Sequence, residues 1–151
     1  MPNIVGITYE DSGGSGQSII CLHGIGGNDS SFSSQVTGLS NDFRVIAWNM
    51  PGYNGSNPLD DLTFESLSNS LITFMDALDI SSAHIIGQSI GGMLAQEMAI
   101  RHPHRVKSLI LIATSTAFGG RDDSFKDNFL VARLAPLNEG KTMSELAAEF
   151  V

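Results

Sequence analysis

Gly87-Gln88-Ser89-Ile90-Gly91, followed at once by Gly92, sets a serine between glycines where an apolar run gives way to a helical one. His84-Ile85-Ile86 reads as a short buried strand and Met93 to Ile100 as a helix, so the turn between them predicts a strained, exposed serine. A side chain at Gly87 or Gly91 would press on the neighbouring strand or the helix start, which is why glycine stands there. Free N–H groups and the positive end of the helix dipole are expected just behind Ser89. The pattern alone is weak, since with Gly and Ser each near ~7% it arises by chance in roughly one chain in twenty of this length.

Two further signals share the chain. The apolar run Ser18-Ile19-Ile20-Cys21-Leu22 stops in His23-Gly24-Ile25-Gly26-Gly27, a glycine-rich loop whose N–H groups are free to face a developing oxyanion. After a strand from Phe43 to Trp48 comes the turn Asn49-Met50-Pro51-Gly52-Tyr53-Asn54-Gly55-Ser56.

With these three motifs in this order, from about Ile4 to Ala113, the chain resembles the α/β-hydrolase superfamily. The likeness is nearest to its bacterial esterase and lactonase branch, which includes the 3-oxoadipate enol-lactonases. The resemblance implies Ser89 as nucleophile in an elbow supported by Gly87, Gln88 and Gly91. It implies an oxyanion loop formed by His23, Gly24, Gly26 and Gly27, with the N–H groups of Ile25 and Ile90 as oxyanion donors. Two positions depart from the family pattern: Asn49, where relatives usually have aspartate, and Asn54, where they usually have glycine. Asparagine tolerates positive φ, so the turn is expected to survive Asn54.

In that family the triad acid and histidine follow the serine in chain order, beyond a helical cap. Only 62 residues follow Ser89 (151 less 89), and they read as one strand and then helices. The expectation is therefore a partial core domain over 1–117 and the start of a cap over 118–151, the chain being truncated after about the sixth strand. His102 and His104 close the helix after the elbow, about 16 Å from the serine. His84 opens the preceding strand, about 16 Å away in the same direction. Only His23 lies at the correct end of the sheet, and the resemblance gives it a supporting role. The 151-residue chain is expected to have at most trace activity. The alternative is a non-catalytic ligand-binding protein on the same fold, which would have no need of a strained serine.

Alternating strand and helix signals indicate an α/β fold, a mostly parallel sheet with helices on both faces. Gly6 to Glu10 reads as the first strand, and Asp11-Ser12-Gly13-Gly14 as a turn. Phe32, Val36 and Leu39 mark a short helix, and Phe64, Leu67, Leu71, Phe74 and Leu78 a longer one behind Thr63 as N-cap. Val106 to Ala113 is a nearly unbroken apolar strand that reads as buried on both faces in a complete fold. Without a following strand it becomes a sheet edge, and self-association through 106–113 is expected. Phe118 to Asp123 reads as loop, Ser124-x-x-Asp127 as the opening of a helix ended by Pro136, and Thr142-x-x-Glu145 as a capping box. Phe125, Phe129, Leu130 and Leu134 could face an apolar substrate, although packing on one another or on the core is the simpler expectation. Met50, Met93 and Met98 read as core.

The sequence is 42% apolar and 16% charged, with a net charge of −8. Its eight Lys and Arg are scattered, which argues against a nucleic-acid or anionic-membrane surface. No apolar run approaches the ~18 residues of a membrane span, and a cytoplasmic location is expected. The single cysteine, Cys21, reads as a small core residue, and neither metal nor cofactor is expected. The partner implied is a small ester or lactone.

Overall fold

Successive residues of a strand point to opposite faces, and the central strands use this to feed two separate apolar cores. In the computed structural model, which describes residues 1–117, 123–142 and 145–146, the strands are β1 (Asn3–Ile4), β2 (Ile7–Asp11), β3 (Gln17–Leu22), β4 (Phe43–Trp48), β5 (Ala83–Gln88) and β6 (Val106–Ile112). They form one sheet in the order β1-β2-β4-β3-β5-β6. β3, β4, β5 and β6 are parallel, while β2 joins β4 and β1 joins β2 antiparallel.

Ile20, Leu22, Ile46, Trp48 and Ile85 face α2 (Phe64–Ala77) and α3 (Ile90–Arg101), meeting Leu71, Phe74, Met75, Leu94 and Met98. Ile19, Cys21, Val45, Ala47 and Ile86 face the other way, toward Phe32 and Val36. Those two residues belong to a 3₁₀ turn (Asp29–Phe32) and α1 (Ser33–Gly38). Helices therefore cover both faces, as the alternating pattern predicts. The ring of Phe74 lies edge-on to Tyr9 at 5.2 Å and tilted against Trp48 at 6.3 Å, joining the antiparallel edge to the parallel centre. Arg44 forks onto Asp11, with Nη2 donating to Oδ2 at 2.8 Å, and ties β4 to the end of β2.

Several expectations are corrected. β1 is an extra strand ahead of the expected first one, joined to β2 through Val5 (φ 48) and Gly6 (φ 81), a turn with positive φ at both central residues. A β-branched valine in that conformation is uncommon, which hides the turn from a sequence reading. The helix after the elbow begins at Ile90, directly behind the serine, and not at Met93. β6 follows the expectation for a chain without a following strand, since Ile110, Leu111 and Ile112 are 50%, 44% and 43% exposed. Among the described residues β6 pairs only with β5, leaving its other side as a sheet edge. Met50 and Met98 are buried as expected, while Met93 is half-buried.

Residues Met1–Thr116 form one compact unit and Ala117–Val151 a second. The second contains α4 (Asp123–Asn138), which runs through Pro136 instead of stopping there. Its end is set by Gly140 at φ +94, where Gly140 N–H donates to Leu137 and Lys141 N–H to Pro136, the paired bonds of a Schellman turn. Phe125 and Phe129 stack on each other, and Arg133 lies over Phe129. The capping box is present, with Thr142 N–H donating to Glu145 and Glu145 N–H to Thr142 Oγ1. Of the loop expected over Phe118 to Asp123, residues 118–122 lie outside the described residues, and Asp123 already belongs to α4.

Phe74→Ala would empty a fully buried ring site shared by three elements and is expected to cost about 3–5 kcal/mol. Urea unfolding monitored by Trp48 fluorescence reads this, and a loss under about 1 kcal/mol would mean that the site collapses around the smaller residue.

Candidate active site

The chain leaves β3 toward β4 on one side and later returns to add β5 on the other, so the loops after β3 and β5 diverge at the point where the strand order reverses. Leu22 pairs with Gly87, and Gln88 pairs with Ile112. This register sets the loop from His23 to Gly27, Ser89, and the residues after β6 side by side at the carboxyl ends of their strands.

Ser89 is exposed and adopts φ 54, ψ −120, a conformation a non-glycine residue holds only when its surroundings enforce it. The surroundings are tight. A Cβ on Gly91 would lie 2.2 Å from the Leu22 carbonyl oxygen, and one on Gly87 would lie 2.5 Å from the Gly91 oxygen. The first turn of α3 is thereby pressed onto the end of β3. The N–H groups of Ile90 and Gly91 sit in that turn, with no carbonyl four residues back inside the helix to receive them. A Cβ on Gly24 would come within 3.2 Å of Ser89 Cβ, so the loop after β3 packs tightly against the serine and a larger residue there would push one of them aside by a few tenths of an ångström. Gly26 takes φ +77 and turns that loop, and the side chain of Ile25 is exposed.

His23 is fully buried beneath this loop, with both ring nitrogens engaged. Nδ1 lies 2.8 Å from the Gly24 carbonyl, and Nε2 lies 3.0 Å from the N–H of Met50. Since an N–H must donate to Nε2, that nitrogen carries the lone pair and Nδ1 carries the proton. The imidazole is thus neutral, and burial holds its pKa below the usual 6.5 against the opposing pull of the Gly24 carbonyl and Asp29. It anchors the loop and has no nitrogen left to take a proton from Ser89. His84 stands on β5 between Ser108 Oγ and Gln17 Oε1, each 2.8 Å away. His102 caps α3 and His104 lies in the 3₁₀ turn Pro103–Arg105. Among the described residues no hydrogen bond reaches Ser89 Oγ.

The turn after β4 is wired through its two unusual asparagines. Asn49, fully buried, accepts from the Asp29 N–H at 2.8 Å and donates to Thr8 Oγ1 at 3.0 Å. Asn54, at φ 44, donates to Asp29 Oδ1 at 3.0 Å. An aspartate at 49 could not donate to Thr8, whose own hydroxyl proton goes to the Asn54 carbonyl. The two departures therefore meet at Asp29, Asn49 at its backbone N–H and Asn54 at its carboxylate. The sequence carried no sign that they meet, nor that Thr114 reaches the elbow: its Oγ1 donates to the Ser89 carbonyl at 2.7 Å. Burial pushes the Cys21 thiol up to about 12, which makes it inert. Among the described residues no group of three or more His, Cys, Asp or Glu could hold a metal ion, and no helix is long and apolar enough to cross a membrane.

The His23 arrangement gives stability a pH dependence. Its folded pKa lies below the unfolded value, so the contribution is complete above about pH 6.5 and is lost as pH falls through the folded value. The urea midpoint is expected to drop between about pH 7.5 and about pH 5.5, and to drop less in His23→Asn, which keeps one donor and one acceptor. Equal slopes for both proteins would remove His23 as the cause.

The model of the alpha/beta hydrolase fold family matches residues 17–141. The chain is 30% identical over 129 residues to the dihydrolipoyllysine-residue acetyltransferase component of the acetoin cleaving system of Cupriavidus necator, covering 84% of this chain and 34% of that protein. It is 34% identical over 110 residues to a pimeloyl-[acyl-carrier protein] methyl ester esterase of Aeromonas hydrophila, covering 73% and 42%. The enol-lactonase of Burkholderia xenovorans LB400 superposes with a TM-score of 0.77 at 26% identity, over 95% of this chain and 54% of its own. The chain thus spans between a third and about half the length of these proteins. The motif order, the sheet and the family match agree, and the chain belongs to the α/β-hydrolase fold family.

Proposed function

We propose that this chain is the nucleophile-bearing part of a serine hydrolase that cleaves carboxylic ester, lactone or thioester bonds by acyl transfer. The observation that carries the reading is Ser89 at φ 54, ψ −120, exposed at the start of α3 with Gly24 against its Cβ. In this reading Ser89 Oγ attacks the carbonyl carbon and the C=O π pair moves onto oxygen. The N–H groups of Ile25 and Ile90 receive that oxyanion, each donor being worth about 2.7–4 kcal/mol of barrier. The tetrahedral adduct then expels the alcohol or thiol, and water releases the acid from the acyl-enzyme. Gly87, Gln88 and Gly91 hold the elbow, and His23, Gly24, Gly26 and Gly27 hold the oxyanion loop. The base that takes the Ser89 proton and the acid that orients it are assigned to residues outside this chain, because His23 has both ring nitrogens engaged and His84, His102 and His104 lie at the far ends of β5 and α3 from the serine. In this reading residues 1–117 supply the core, and 118–151 are the start of a helical cap. The named activities of the esterase and enol-lactonase relatives support an ester or lactone as substrate, and a cytoplasmic setting suits such small substrates.

A second copy of the chain is the partner proposed for the β6 edge. Pairing two β6 strands antiparallel about Leu109 sets Lys107 opposite the second copy's Leu111, so the strand's one charge meets no like charge.

Two measurements test these readings. A polypeptide of the relatives' full length that includes this chain should hydrolyse p-nitrophenyl butyrate, with Ser89→Ala retaining under about a thousandth of the rate, while the 151-residue chain gives only trace turnover. Near-parental turnover in Ser89→Ala would end the nucleophile assignment. For the edge, light scattering at high protein concentration should show association that Leu111→Lys weakens, and a strictly monomeric chain would refute it.

A further inference from the structure

The end of β6 grips Ser89 at both of its peptide groups. The Ser89 N–H donates to the Ile112 carbonyl at 2.9 Å, and Thr114 Oγ1 donates to the Ser89 carbonyl at 2.7 Å. Between those two grips Ala113 takes φ 47, a conformation that disfavours any residue with a Cβ. This reversal ends the strand and turns Thr114 back over the elbow. There its side chain lies flat on Gly92, where an added Cβ would meet Thr114 Cγ2 at 2.6 Å and Cβ at 2.7 Å. Two strained residues, Ser89 and Ala113, thus face each other across adjacent strands, joined by hydrogen bonds on either side of the serine.

Satisfaction of the Ser89 carbonyl does not require the threonine. That oxygen already accepts from the N–H groups of Gly92 at 2.9 Å and Met93 at 3.1 Å, which arrive from within α3. An sp² oxygen has two lone pairs, so a third donor adds direction more than satisfaction. The hydroxyl approaches from the β6 side, the same side as the bond to the Ser89 N–H. We propose that Thr114 is a positioning residue for the nucleophile: its hydroxyl and the Ile112 carbonyl fix the rotation of Ser89 about its own backbone, and so fix where Oγ points. Thr114 touches no reacting atom in this scheme.

The proposal rests on the reading of Ser89 as nucleophile, so its test avoids ester hydrolysis. Ser89→Cys places a thiol at the elbow, and Cys21, fully buried with its thiol raised to about 12, leaves that thiol as the reactive one. The rate of iodoacetamide alkylation against pH then yields the pKa and limiting reactivity at position 89, with no base or substrate needed. Thr114→Val keeps the packing on Gly92 and removes the donor, and Thr114→Ser keeps the donor. In the Ser89→Cys background, Thr114→Val should alkylate about fivefold more slowly, the scale of one hydrogen bond, and Thr114→Ser should restore the rate. Continued protection of Cys21 reports an intact fold. Should Thr114→Val expose Cys21, Thr114→Ala set against Thr114→Ser gives the same comparison. Equal pH–rate profiles with and without the hydroxyl would overturn the proposal. A polypeptide of the relatives' full length that hydrolyses no ester yet shows the Thr114 effect would refute the hydrolase reading alone.

Discussion

The approach of α3 to the end of β3, closer than any side chain allows, is the constraint from which the site follows. At Gly91 the Leu22 carbonyl oxygen would be 2.2 Å from a Cβ, and at Gly87 the helix start is equally intolerant. To enter the helix at that distance the chain must reverse within one residue, and Ser89 takes the reversal at φ 54. The strain lies at the residue whose side chain is thereby left exposed. It is held by bonds to β6 and by the packing of both cores behind it, which are far larger than the cost of one unfavourable φ.

The same constraint explains why the oxyanion loop is built as it is. With Ser89 fixed, the chain leaving β3 packs closely against it at Gly24, and it must then be supported from below. His23 supplies the support as a neutral wedge, bonded to Gly24 above and to Met50 on the neighbouring turn. That turn is in turn held by the Asn49, Asp29 and Asn54 network. The loops after β3 and β4 therefore form one polar assembly, although each looks independent along the chain.

Much of this was legible because glycine spacing reports close backbone approach directly. Gly87, Gly91 and the run at 24–27 announce the elbow and the loop, and the alternation of β3, β4 and β5 announces the two cores. Signals failed where the needed residue was not the usual one for its conformation. Val5 and Ala113 sit at positive φ without being glycine or asparagine, so the β1–β2 turn and the return of Thr114 left no mark. Pro136 failed in the opposite sense: proline forfeits a single N–H bond near a helix end, and the glycine four residues later sets the stop.

The strand order also bears on how the chain acquires its structure during synthesis. β4 is laid beside β3, β5 on the other side of β3, and β6 beside β5, so each parallel strand emerges next to one already made. No parallel strand has to wait for a partner further along the chain. The sheet can therefore assemble vectorially as the polypeptide leaves the ribosome, growing outward from β3, with the hairpin of β1 and β2 closing on β4 once that strand appears. In such an order the reversal at Ser89 closes onto β3 before β6 arrives, and β6 then locks it from the other side.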